Sequence, residues 1–286
     1  MRVKRSQLAG TWYPGSAAVL RTQIDEWLAA AAAPGPAGTV RGVIVPHAGY
    51  QYSGRAAAAG YASVQPPGQP AHYHRAILLA PSHYSAFRGV ALLDVDAFAT
   101  PLGEVAVDRD AVAALAATPL CAVDPVPFRE EHSLEIQLPL LQRVLPQARV
   151  VPLLVGQLQG DDYGVVAAAV AALTGAGTLC IVSSDFVHYG WRFDYLPFPA
   201  TGAAAVRDGL RALDMGAIER VCAGDADGFL AYVDATGATI CGRMPIAVFL
   251  HVPPRPVRGR LLTYYTSLDV TGDYEHTVSY ASILLQ

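Results

Sequence analysis

The sequence predicts an α/β fold, with residues 1–286 forming one domain around a largely parallel or mixed central sheet that carries helices on both faces. Three observations lead to it. Short apolar runs bounded by Gly and Pro alternate with longer stretches of helical periodicity, the pattern of strands covered on both sides. Hydrophobic residues make up 52% of the chain and charged residues 15%, which suits one large core and not a disordered chain. No repeat or linker interrupts the alternation.

The elements follow in order. Ser16 is placed to cap a helix from Ala17 to Ala33, with Leu20, Ile24, Trp27 and Leu28 on one face and Pro34-Gly35-Pro36 ending it. Val40 to Val45 reads as a buried strand, followed by an alanine-rich helix from Gly54 to Val64 and a loop from Gln65 to Pro70. Arg75 to Leu79 is a second buried strand. Gly89 to Leu93 and Glu104 to Val107 read as a pair of strands around Thr100-Pro101-Leu102-Gly103. Helices are expected over Ala111 to Ala117 and His132 to Val144, the latter kinked at Pro139. Then come a strand at Val150 to Val155, a helix at Asp162 to Leu173 and a strand at Thr178 to Ser183. Helices at Ala200 to Leu213, Gly216 to Cys222, Asp225 to Thr236 and Pro245 to His251 precede closing strands at Arg260 to Leu268 and Thr277 to Leu285.

Several function classes are set aside by composition. A net charge of −4 gives no basic surface for nucleic acid. No segment reaches the roughly 18 unbroken apolar residues of a membrane helix, and Met1 to Arg5 are not followed by a signal core, so a cytoplasmic protein without a membrane partner is expected. Lys4 is the only lysine, a bias from which no function follows. Cys121, Cys180, Cys222 and Cys241 form no CxxC pair, and each reads first as a small buried hydrophobe.

The polar motifs cluster at strand ends. His47 follows the first buried strand, His83 the second, and Asp185 and His188 a later one. Ligands in open α/β sheets bind outside the carboxyl ends of the strands, so three such ends delivering histidine mark a site better than any one alone. Imidazoles at such a site are candidate metal ligands, with a carboxylate or thiolate as the third. Cys241 stands before Gly242-Arg243 at a predicted helix start, where the helix terminus and Arg243 would favour thiolate. Asp185, three residues before His188, is expected to orient that imidazole or simply to cap the turn. In Glu130-Glu131-His132-Ser133-Leu134-Glu135 the acids at 131 and 135 would share a helix face. His132 with a neighbouring carboxylate would complete the pocket wall; the plainer reading is a solvated helix start. Tyr50 and Tyr52 flank the first histidine and suit either core or pocket. His72 and His74 read as exposed, His251 as a helix end and His276 as part of a turn.

Seven motifs then stand in one order: Gly10-Thr11-Trp12-Tyr13-Pro14, Pro46-His47-Ala48-Gly49-Tyr50, Pro81-Ser82-His83, Thr100-Pro101-Leu102-Gly103, Glu131-His132-Ser133-Leu134-Glu135, Ser183-Ser184-Asp185-Phe186 with His188, and Ile240-Cys241-Gly242-Arg243. Together they resemble the Memo family, called AmmeMemoRadiSam system protein B in prokaryotes, from Gly10 to Tyr280. The resemblance implies a fold like that of the class III extradiol dioxygenases. It implies His47, His83 and Cys241 as metal ligands, Asp185 and His188 as pocket residues, and His188 as the acid/base group, with His132 positioning substrate. Cys241 stands where those dioxygenases carry glutamate, which softens the donor set toward copper or zinc and puts ring cleavage in doubt. The implied function is a mononuclear iron(II) or copper pocket, with zinc as a further candidate. It would serve a redox enzyme or oxygenase working with a radical-SAM protein and other AmmeMemoRadiSam partner proteins. The alternatives are a non-catalytic module for a peptide or small-molecule ligand, or a copper-sequestering protein.

Overall fold

The computed structural model describes residues 1–31, 39–64 and 72–286. In chain order the elements are β1 (Val3–Lys4), α1 (Ala17–Ala30), β2 (Gly42–Val45), α2 (Tyr50–Val64), β3 (Arg75–Pro81), β4 (Val90–Leu92), β5 (Ala97–Thr100), β6 (Gly103–Ala106), α3 (Arg109–Ala116), β7 (Cys121–Val123), α4 (Leu138–Val144), β8 (Arg149–Val155), α5 (Asp162–Ala171), β9 (Thr178–Ser183), β10 (His188–Tyr189), α6 (Ala203–Ala223), α7 (Ala226–Thr236), α8 (Arg243–His251), β11 (Gly259–Thr266), α9 (Leu268–Thr271) and β12 (Thr277–Leu285). The expected end of the first helix at Ala33, the Pro34-Gly35-Pro36 break and the Gln65 to Pro70 loop lie outside the described residues.

Among the described residues the main sheet has nine strands, ordered β10-β12-β2-β9-β3-β8-β4-β7 with β11 on β12. Its centre, β2-β9-β3-β8, is parallel, while β12 joins β2 and β4 joins β8 antiparallel. The sheet is therefore mixed. The apolar runs of β2, β3, β8 and β9 are buried almost end to end, as strands covered on both faces must be. A side chain at Gly42 would strike Phe249 of α8, whereas Val45 packs beneath Gly60 of α2. Residues three apart on a strand point to opposite faces, so these two helices cover opposite sides of the sheet.

β9 lies between β2 and β3, which follow one another in the chain. The carboxyl ends of three adjacent parallel strands thus open together, the place where such sheets leave a crevice. A separate small sheet, β1-β5-β6, lies outside this frame.

Several elements differ from their sequence expectation. Gly89 to Leu93 and Glu104 to Val107 do not pair. β4 belongs to the main sheet, and β6 pairs instead with β5 in a hairpin closed between Thr100 and Gly103. The second helix begins at Tyr50, not Gly54, and the two helices expected over Ala200 to Leu213 and Gly216 to Cys222 are the single helix α6. Both misplaced boundaries were glycines, and both glycines are packing contacts. A Cβ at Gly54 would lie 2.4 Å from Trp27 and one at Gly216 would lie 2.3 Å from Tyr232. Ser16 occupies the N-cap of α1, yet its hydroxyl makes no capping bond.

The helix expected from His132 starts later. Residues Glu135–Gln137 form one 3₁₀ turn and α4 begins at Leu138. Pro139 sits in the first turn of α4, where its missing N–H has no partner to lose, so it starts the helix and does not kink it. Glu131 and Glu135 consequently share no helix face. Glu135 is buried and accepts hydrogen bonds from Ser6 Oγ (2.7 Å), the Gln7 and Leu8 amides (both 3.0 Å) and Tyr13 Oη (2.8 Å). It clasps the N-terminal segment, and with it Trp12, against the body of the fold.

Glu135→Ala strips that carboxylate from several donors at once. The expected loss is about 3 kcal/mol of stability, in line with the cost of unpaired buried polar groups. Glu135→Gln, which keeps an acceptor oxygen, loses less. The midpoint of urea unfolding measures both, and an unchanged midpoint in Glu135→Ala would remove the clasp from the account.

Candidate metal centre

The structure brings the sequence-predicted residues to one crevice at the ends of β2, β9 and β3. His47, His83, His132, Asp185 and His188 line one cavity of about 460 Å³. Cys241 reaches the same point from the loop before α8, with Sγ 3.1 Å from His47 Nε2. Ligand atoms of His47, His83 and Cys241 all lie within 4.8 Å of one another. The donors grade from buried His47 through half-buried Cys241 to exposed His83, so the group opens toward the cavity on one side.

Each of these imidazoles is held from behind. Ser183 Oγ donates to Ser133 O (2.6 Å) and accepts from Gln137 Nε2 (2.9 Å), so it meets His47 Nδ1 (3.0 Å) as a further acceptor. That makes His47 the Nδ1–H tautomer and leaves the Nε2 lone pair toward Cys241. Glu131 treats His83 in the same way, with Oε1 2.8 Å from Nδ1 and Oε2 accepting the His83 amide at 2.6 Å. Its Oε1 also accepts the His132 and Ser133 amides. Glu131 is thus the carboxylate neighbouring His132, but its imidazole partner is chiefly His83. A second donor group, His83, Glu131 and His132, also fits within 4.8 Å, although Glu131 is already committed to these bonds.

Asp185 does not orient His188. Its carboxylate accepts the His47 amide at 2.8 Å, and its own amide donates to Cys241 Sγ at 3.2 Å. It therefore ties the β2 loop to the thiol. His188 Nδ1 lies 3.0 Å from both Phe186 O and Thr239 O, and Thr239 Oγ1 accepts the His188 amide. Two carbonyls require a proton on Nδ1, which leaves Nε2 as an acceptor. Arg243 also turns elsewhere, donating to Asp234 at 2.8 Å. Gly242 is required by closeness: a Cβ there would sit 2.3 Å from Ser184 Cβ.

Burial governs the ionisation. It pushes His47 well below the usual imidazole range, with His83, His132 and His188 adding to the effect. It brings His132 down to about 4 and lowers His188 against the pull of its two carbonyl partners. These three rings are neutral at neutral pH, the form that offers a lone pair. Burial drives Asp185 up to about 7 despite the amides of His47 and Ala48. Burial also works upward on Glu131, but the His83 imidazole and the amide bonds outweigh it and hold the carboxyl at about 2. Burial, then Asp185, pushes the Cys241 thiol well above its ordinary range. The expected thiolate is thus reversed without a metal: desolvation outweighs a helix terminus whose nearest cation points away.

Sequence reasoning missed most of the supporting shell. Trp12 lies tilted against His132 at 4.4 Å between ring centroids, and His132 stacks on His83 at 4.6 Å. Ser133, Gln137, Ser183 and Thr239 carry no signal of their own, although two lie inside motifs already singled out. Tyr52 lines the cavity, whereas Tyr50 is core and donates to Ile136 O. His276, placed in a turn, also reaches the cavity wall, while His72 and His74 are exposed as expected.

Comparison with known proteins follows the same residues. A family model described as "Memo-like protein" matches residues 4–284. The chain is 34% identical to "Protein memo-1 homolog" of Caenorhabditis elegans over 97% of its own length and 81% of that protein's. It is 32% identical to a MEMO1 family protein of Methanothermobacter thermautotrophicus, over 98% and 99% of the two chains. To "Protein MEMO1" of Danio rerio it is 31% identical, over 99% and 97%.

A protonated Cys241 thiol must lose its proton to become a ligand, so metal affinity should rise with pH. Calorimetry in buffers of different ionisation enthalpy should find about one more proton released per metal in the wild type than in Cys241→Ala. Equal release would show that the thiol takes no part. Ser183→Ala and Glu131→Gln should each weaken metal binding by about 10- to 100-fold, as lost support behind a ligand does. Competition with a chelator reads that change, and unaltered affinity in both would remove their supporting role.

Proposed function

The chain belongs to the Memo-like protein family, and from that premise we propose that its cavity is a mononuclear metal centre serving a redox reaction, with iron(II) or copper as the metal. One observation carries the reading. Two imidazoles that line a cavity large enough for a small molecule are each pinned through Nδ1 by a separate partner, and their ligand atoms lie within 4.8 Å of one another and of the Cys241 thiol, which is 3.1 Å from His47 Nε2. His47, His83 and Cys241 would hold the ion, and the donor set suits it: two imidazole nitrogens and one sulfur make a borderline-soft site. Bound there, such an ion would supply one-electron redox chemistry with positions left for substrate.

The chain's own residues do the rest. His188 offers Nε2 as a proton acceptor, with its ring fixed by the Phe186 and Thr239 carbonyls. Trp12, tilted against His132, and His132, stacked on His83, give the cavity an aromatic wall on the side of the proposed ion. Asp185 holds the His47 loop and the thiol in register. The thiol also supports a second reading, copper(I) sequestration without turnover, because sulfur favours that ion.

Anaerobic titration of the reduced, metal-free protein with iron(II) and with copper(I) separates these. One-to-one binding, lost in His47→Ala and Cys241→Ala, is the expected result. Iron preference with metal-dependent oxygen consumption favours the redox centre, and tight copper(I) binding without consumption favours sequestration. If neither ion binds, the pocket is metal-free and a ligand-binding role replaces both. His188→Gln should keep its metal and lose turnover; a loss of metal would instead make His188 a ligand.

A further inference from the structure

Asp214 lies in the interior of α6 with no exposed surface. Two donors converge on it: Oδ1 accepts the Val187 amide at 3.1 Å, and Oδ2 accepts Tyr264 Oη at 2.7 Å. A carboxylate accepts on both oxygens, whereas a neutral acid donates from one of them. Burial makes that carboxylate costly, and what it secures is the segment that ends in His188.

The three consecutive amides of this segment go to three different elements. Phe186 N donates to Ser279 O of β12, Val187 N to Asp214 of α6, and His188 N to Thr239 Oγ1 before α8. The Ser279 amide returns a bond to Val187 O. His188 Nδ1 in turn lies 3.0 Å from Phe186 O, so a shift of Val187 moves an acceptor that fixes the ring. Asp214 thus reaches His188 through the backbone without touching it.

Tyr264 Oη also lies 3.4 Å from Ser279 Oγ. With a proton on Oδ2, Asp214 donates to Tyr264 Oη, and the Tyr264 hydroxyl turns to Ser279 Oγ. The Val187 amide cannot turn. It keeps Oδ1, and its bond changes from charge-assisted to neutral, roughly half as strong. Burial pushes the carboxyl up to about 6 against the pull of Ser279, Tyr264 and Val187. The groups facing Asp214 from elsewhere in the fold are uncharged: Tyr264 of β11, Ser279 of β12, Tyr232 of α7 and Tyr195 before α6. The nearby guanidiniums lie over tyrosine rings, Arg211 over Tyr264 at 5.7 Å and Arg220 over Tyr232 at 4.4 Å.

We infer that Asp214 is a positioning residue for His188: through the Val187 amide it holds the Phe186 carbonyl against His188 Nδ1, and its ionised form holds it more tightly than its protonated form. This rests on His188 being the proton acceptor of the cavity, as proposed above.

The test is NMR on the metal-free protein, reading the Val187 amide proton and the ring nitrogens of His188 against pH. In the wild type the Val187 proton should move upfield on acidification with a midpoint of about 6, and the His188 Nδ1 signal should show a step at the same midpoint. Asp214→Asn, which accepts on Oδ1 and donates from Nδ2 as the protonated acid does, should lack both steps and show the low-pH Val187 shift throughout. Tyr264→Phe leaves the carboxylate with one donor fewer, so the midpoint should rise. A Val187 step that persists in Asp214→Asn belongs to the neighbouring Asp185 or His188 and overturns the proton linkage. A His188 ring with no step at the Val187 midpoint overturns the positioning role. Metal-dependent oxygen consumption by His188→Gln keeps the two readings apart. Undiminished consumption there, with the expected spectra, leaves the hold of Asp214 on the ring standing and removes His188 from the reaction. Lost consumption beside flat spectra does the reverse.

Discussion

The arrangement depends on what lies behind each imidazole. An imidazole presents a lone pair in a fixed direction only if the proton on its other nitrogen has somewhere to go, and here Ser183 receives it for His47 and Glu131 for His83. Neither partner is free to do otherwise. The Ser183 hydroxyl donates to Ser133 O while accepting from Gln137, and Glu131 accepts the His132 and Ser133 amides on Oε1 and the His83 amide on Oε2. The tautomers are therefore imposed by backbone geometry and survive without an ion to select them.

That geometry comes from strand order. β9 intervenes between β2 and β3, so Ser183 at the end of β9 stands beside Val45 at the end of β2, two residues before His47. Asp185, just beyond β9, can then bond the His47 amide and donate its own amide to Cys241. One loop serves both neighbours. Burial in this crevice keeps His47, His132 and His188 neutral and Cys241 protonated.

Where the reading of the chain and the structure part, the cause is mostly contact between distant residues. Glycines at 54 and 216 look like helix boundaries because glycine is a poor helix former. They are helix interiors because Trp27 and Tyr232 occupy the space a side chain would need. The acids at 131 and 135 have helical spacing, yet one is taken by His83 and the other by the N-terminal segment. Asp185 stands close to His188 in sequence and serves His47 and Cys241 instead. A helix terminus near Cys241 argued for thiolate, but desolvation, a property of everything packed around the sulfur, is the larger effect.

The class of fold and the strand ends that carry chemistry are written in the chain, because apolar periodicity and the positions of His47, His83, Asp185 and His188 after strands are local properties. The β9 and β12 boundaries were legible to the residue for the same reason. Which strand lies next to which is a matter of packing, and through that order come the partners of His47, His83 and His188 and the state of the thiol. Packing also brought His276 from a remote turn to the lining of the same cavity. Hydrogen-bond partners and burial are set by neighbours in space, and no spacing along the chain encodes them.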